Sequence, residues 1–255
     1  MSKLTAQDKF LDLSDYARPP AIFFANKLKN TRFTAIHVTL LFGVSGLLAV
    51  FCILTGSYIF ASFFILLKSC IDAADGELAR LNQKPSYIGR YLDSVFDIIL
   101  NFLFLMAICY VSKSSFFMTL IAFICLQLQG TLYNYYYVIL RNKSVDGDST
   151  SKIFEYKTPK ALLGESQKSV NILFVAYVLL YGIFDRVIHF MDREAYKCEK
   201  FPHWFMTIVS IYGLGFQLLI MAIMLTMNLI NFIPVFFIVY TLFIFLLIGL
   251  RKLLF

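Results

Sequence analysis

Charge is scarce in this chain. Asp, Glu, Lys and Arg make up 15% of its 255 residues, against about 25% in a soluble domain. That shortage, with 59% hydrophobic residues and a mean hydropathy of +0.73, excludes an ordinary soluble globular fold and leaves a polytopic membrane protein. No stretch remains for a separate soluble domain, so residues 1–255 read as one membrane-embedded domain, with 1–33 as a cytosolic and interfacial N-terminal segment. Met1 to Arg18 lacks the apolar core of a signal peptide. No CxxC spacing occurs, and Cys52, Cys70, Cys109 and Cys125 fall inside apolar runs. They read as small hydrophobes, without a disulfide framework or a zinc site. P-loop, HExxH and GxSxG patterns are also missing. The net charge of +7 is not a nucleic-acid footprint, because the bases lie between apolar segments, where they set topology and meet anionic headgroups.

What is abundant is apolar sequence. Runs at 34–54, 57–79, 88–111, 115–140, 169–190, 205–228 and 232–250 each approach the roughly 20 residues of a spanning helix. The chain therefore reads as an all-α bundle of seven spans, or six if the last two runs are miscounted around Asn228–Pro234. Residues 19–30 open on two prolines and mix aromatics with lysines, which predicts an amphipathic helix lying in the interface. Lys and Arg crowd the N-terminal segment and the loops after the second and fourth runs, which places the N-terminus and those loops in the cytosol. Arg186, Arg193, Lys197 and Lys200, and the pair Arg251-Lys252, run against that assignment.

Within this apolar background stand four aspartates: Asp72, Asp75, Asp93 and Asp97. Each costs about 2.5–3.5 kcal/mol at the centre of a bilayer-spanning helix, so four together point to bound cations. Asp72 and Asp75 share one helix face; Asp93 and Asp97 share another, with Gly89 one turn earlier. Asp72 lies about fifteen residues after Ser57, roughly 22 Å along a ~30 Å core, towards the cytosolic end. Pro85-Ser86 offers a helix start with Ser86 as N-cap. The short connection makes the two helices antiparallel and brings the carboxylates to one depth. Oxygen-only donors suit Mg²⁺ or Mn²⁺, and two such ions can clamp a diphosphate. Gly76, Gly89 and Ala79 leave room for a ligand beside the backbone, and Arg80 offers a permanent charge to phosphate oxygens. Lys68, one turn before Asp72, either balances the carboxylates or reaches a lipid phosphate. Glu77 is placed on the far, water-facing side of its helix. Gly43 and Gly46 read as helix-packing positions.

The pattern D-x2-D-G-x2-A-R-x8-G-x3-D-x3-D, from Asp72 to Asp97 without gap or substitution, resembles the signature of the CDP-alcohol phosphotransferases, membrane enzymes of phospholipid synthesis. The resemblance implies a bundle of about six helices, a cytosol-facing cavity, and a two-ion Mg²⁺ or Mn²⁺ site on Asp72, Asp75, Asp93 and Asp97. It implies a CDP-linked donor near Gly76, Ala79 and Gly89, with Arg80 near the donor phosphates or the acceptor. Asp97 matches the aspartate assigned as general base, with CMP leaving, and a homodimer is the implied assembly. One departure is visible. Many members carry T-P-N-x-[VI]-T, where this chain has Thr34-Ala35-Ile36-His37-Val38-Thr39. Thr39 remains a candidate contact; His37 either substitutes for the missing Asn or is only interfacial.

Two substrate readings share the signature. CDP-choline or CDP-ethanolamine can donate its head group to a diacylglycerol-type lipid. Alternatively, CDP-diacylglycerol can donate a phosphatidyl group to glycerol phosphate, inositol phosphate or serine. Tyr133 to Tyr137 and the acids Asp146, Asp148, Glu155 and Glu165, with Tyr156, favour the first, since cations seek carboxylates and aromatic faces. Arg141, Lys157, Lys160 and Lys168 could equally receive a phosphate. A cation transporter would also keep intramembrane acids, but such sites usually lie near the midplane.

Overall fold

The computed structural model describes residues 4, 7–31, 33–143, 155, 157–198 and 200–254. Asp146, Asp148 and Tyr156 lie outside the described residues. Among those described there is no strand. Helix α1 spans Arg18–Leu28, α2 Ala35–Leu54, α3 Tyr58–Leu81, α4 Tyr87–Ser112, α5 Phe116–Lys143 and α6 Gln167–Met191. Then come α7 (His203–Val209), α8 (Leu214–Thr226), α9 (Ile233–Tyr240) and α10 (Phe243–Leu254).

Among the described residues five stretches are long and apolar enough to cross a membrane, α2, α4, α5, α6 and Ile230–Leu254, and α7 with α8, bent by 51° at their junction, make a sixth if taken together, so on length and apolarity six replaces the expected seven. The chain is thus an all-α polytopic membrane protein. Helix α3 has the length, at 24 residues, but Lys68, Asp72 and Asp75 interrupt its apolar run. The two C-terminal runs are broken helices. Gly213 is extended at the α7–α8 break, and Pro234 opens α9 in its first turn, where a missing N–H costs nothing.

Helix α2 packs along both α3 and α4. Its glycines permit this. A methyl group on Gly43 would come within 2.9 Å of the Phe96 ring, and one on Gly46 would run into Leu100. The main core joins Phe42 and Ile53 of α2, Ile65 of α3, Phe104 of α4, Met221 of α8 and Phe237 of α9. A second joins Tyr136 of α5, Ile188 of α6, Phe205 of α7 and Leu247 of α10. It holds a buried ion pair between Asp192 and Arg251 that also accepts the Tyr136 hydroxyl at 2.7 Å. All five cysteines are free.

Helix α1 starts on Pro19 and Pro20. It seats Ala21 and Ala25 against Ala74 and Leu78 of α3, and leaves Ile22, Phe23 and Phe24 exposed. The segment before it, around the 3-10 turn Leu13–Asp15, docks on residues 210–212 and on α8. Leu13 donates its backbone N–H to Ser210 Oγ at 2.9 Å, and the Tyr133 hydroxyl donates to Asp12. At Gly215 even a methyl group would collide with the Ser14 carbonyl oxygen.

Candidate metal and donor site

The carboxylates of α3 and α4 converge, and the start of α4 is fixed by its cap. Ser86 caps α4, its Oγ accepting from the Gly89 N–H at 2.8 Å. Glu165, far away in sequence, reinforces that cap by accepting from Ser86 Oγ at 2.7 Å and from the Ile88 N–H at 2.9 Å. With α4 anchored there, oxygens of Asp72, Asp75 and Asp93 lie within 4.8 Å of one another. Asp75 is buried, and Asp93 Oδ1 is buried with no hydrogen-bond partner among the described residues.

Asp97 stands outside this trio. Its Oδ1 is in direct contact with Lys68 Nζ, which also donates to Asp72 Oδ2 at 2.9 Å. Lys68 is 1% exposed, and its ammonium sits 4.7 Å from the centre of the Phe42 ring. The lysine therefore places its amine among the aspartates. Thr39 Oγ1 donates to Asp75 Oδ2 at 2.7 Å, fixing that carboxylate from α2. Tyr181 of α6 donates to the Ser94 carbonyl at 3.0 Å, between Asp93 and Asp97 in sequence.

Glu77 corrects the expectation drawn for it. It is buried, accepts from Arg80 Nη2 at 2.6 Å, and faces Arg18 Nη2 at 3.8 Å. Two guanidiniums hold it inside. Arg80 lies over Gly76: a methyl group there would meet Arg80 Nη1 at 3.5 Å, while Nε is buried with no partner among the described residues. Ala79 is half-buried one turn past Asp75. His37 is exposed and spends its ring on the α2 capping box, where Nδ1 accepts from the Thr34 N–H at 3.1 Å.

Glu155 contacts Arg90 and accepts from the Tyr91 hydroxyl at 2.6 Å. Glu155 and Glu165 are therefore both engaged by α4. Arg141 is half-buried at the end of α5. A cleft of about 390 Å³ runs beside α6, lined by Glu155, Tyr177, Asp185 and Arg193 among others. Spacing alone revealed the four aspartates and the Ser86 cap. Thr39–Asp75 and Glu165–Ser86 had no local signal, being contacts across 36 and 79 residues.

The sequence model of the CDP-alcohol phosphatidyltransferase family matches residues 32–191, well over half of the chain, and the chain belongs to that family. It is similar to a particular member, the CDP-diacylglycerol–serine O-phosphatidyltransferase of Saccharomyces cerevisiae. Identity is 40% over 72 residues, which is 26% of this chain and 26% of the yeast protein. The chain thus spans about a quarter of the length of that curated relative.

Proposed function

We propose that the chain transfers a phosphatidyl group from CDP-diacylglycerol to the hydroxyl of a small alcohol, with serine the first candidate, and releases CMP. The carrying observation is the trio of Asp72, Asp75 and Asp93 within 4.8 Å, with a buried Asp93 oxygen that has no partner among the described residues. Such a set suits a hard divalent cation, Mg²⁺ or Mn²⁺, which when bound neutralises diphosphate oxygens as a Lewis acid.

The chain's own residues do the rest. Gly76 and Gly89 present bare backbone to the cytidine end of the donor. Arg80, already over Gly76, offers Nε and Nη1 to phosphate oxygens. Asp97, oriented by Lys68, takes the proton of the acceptor hydroxyl. The hydroxyl oxygen bonds to the phosphatidyl phosphorus, the bond from that phosphorus to the bridging oxygen breaks, and CMP departs with the electron pair. The distribution of Lys and Arg supports a cytosolic position for the N-terminus and the site, with α3 spanning despite its charges.

Transfer of a choline or ethanolamine head group has less support. Glu155 and Glu165, which favoured it, are occupied by Arg90, Tyr91 and the α4 cap. The yeast relative's name points to the phosphatidyl reaction.

The test is CMP release by purified protein from CDP-diacylglycerol, CDP-choline and CDP-ethanolamine, each with a panel of acceptors. CMP and phosphatidylserine from CDP-diacylglycerol plus serine, abolished by EDTA, is the expected result. Turnover only with CDP-choline or CDP-ethanolamine and diacylglycerol would reverse the substrate assignment.

A further inference from the structure

We infer that the Lys68 ammonium takes the place of a second metal ion, so that the four aspartates hold one divalent cation and one built-in lysine cation. The inference rests on the metal-dependent transfer proposed above, and concerns how the charge of the carboxylates is met.

The four carboxylates do not form one ring. Three of them, Asp72, Asp75 and Asp93, approach one another within 4.8 Å, and the fourth, Asp97, turns to Lys68. The space between Asp72 Oδ2 and Asp97 Oδ1 holds the lysine nitrogen, which touches both carboxylates. An ammonium has three donors. Two go to these carboxylates, and the Phe42 ring closes the remaining side at 4.7 Å as a cation–π partner. A second Mg²⁺ or Mn²⁺ would need several oxygen ligands at about 2.0–2.1 Å in octahedral array. The ring supplies none, and the two oxygens are already taken. Lys68 cannot readily withdraw to water. It is 1% exposed, four residues before Asp72 on the same helix, and leaving its partners would strand buried charges on both sides.

The experiment counts ions without substrate. Wild-type protein is saturated with Mn²⁺ in detergent, freed of excess metal, and assayed by elemental analysis against protein concentration. One Mn²⁺ per chain is expected, and two per chain in the wild type would overturn the inference. Lys68→Met vacates the place and is expected to admit a second ion; Lys68→Arg keeps the charge and is expected to hold one. A folded Lys68→Met protein that still binds one ion would overturn the role given to Lys68. If that variant does not fold, the wild-type and Lys68→Arg counts decide alone. Turnover is read separately: one ion bound without CMP release from any CDP-linked lipid refutes the proposed reaction and leaves this inference standing, and two ions with turnover do the reverse.

Discussion

Thr39 on α2 is hydrogen-bonded to Asp75 on α3, Oγ1 to Oδ2, at 2.7 Å. The same hydroxyl lies 3.0 Å from the Ala35 carbonyl one turn back, so the helix that carries no acid of its own aims one of the three clustered carboxylates. Thr39→Val keeps the shape and removes the donor. Outer-shell partners of metal ligands are typically worth about 10–100-fold in metal affinity or activity. The Mg²⁺ concentration for half-maximal rate is therefore expected to rise about 10-fold, with CMP release as the readout. An unchanged Mg²⁺ dependence would show that Asp75 needs no such support.

Asp97→Asn retains the shape and one acceptor oxygen for Lys68, and loses the ability to take a proton. General-base removal costs about 10²–10⁴ in rate. The variant is expected to fold, bind the CDP donor and the same number of Mn²⁺ ions as wild type, and turn over slower by that factor. Rescue to near wild-type rate by high Mg²⁺ would make Asp97 a metal ligand and remove it as the base.

Gly76→Leu tests the donor cavity. A methyl group at Gly76 meets the Arg80 guanidinium, at ordinary distances of 3.5 and 3.8 Å, so the fold has room for a side chain that a bound nucleotide would not share. The donor KM is expected to rise by more than about tenfold, since tenfold corresponds to ~1.4 kcal/mol of lost binding. The thermal midpoint in detergent should stay near that of wild type. Normal donor KM would place the cytidine elsewhere.

Arg251→Met tests the C-terminal lock. Arg251 is 4% exposed and pairs with Asp192, which is fully buried. Removing one member of such a pair costs about 3–5 kcal/mol, whereas replacing both by apolar residues is often neutral. Thermal unfolding should show a large drop for Arg251→Met. The double variant Arg251→Met with Asp192→Leu should recover much of it, less the bond from Tyr136. Equal losses in both would mean that α10 is held by its apolar contacts alone.

Every apolar run in the sequence corresponds to a helix or a broken helix, because length and apolarity are local properties. The aspartates were legible for the same reason: offsets of three and four residues state a helix face directly. The short helix near residue 19 follows from its prolines. Glu77 was misplaced because its face of α3 is covered by Arg18, a residue 59 positions earlier whose approach no local pattern announces. Glu165, a candidate contact for a cationic ligand, accepts at the α4 cap from a position 79 residues further along the chain, a contact that no local pattern announces. The break at Gly213 looked like part of one span, since composition does not record a 51° bend.

The docking of the N-terminal segment sets an order of events. Leu13 is tied to Ser210 and Gln7 to His203, partners 197 and 196 residues later, and Ser14 fits only against the bare backbone of Gly213 and Gly215. Synthesis proceeds at about 5–20 residues per second. Residues 7–14 must therefore wait roughly 10–40 s for their seat to emerge from the ribosome. The aspartate helices can be inserted well before then, so the docking of residues 7–14 is the later event, completed only after both halves of the site are in the membrane.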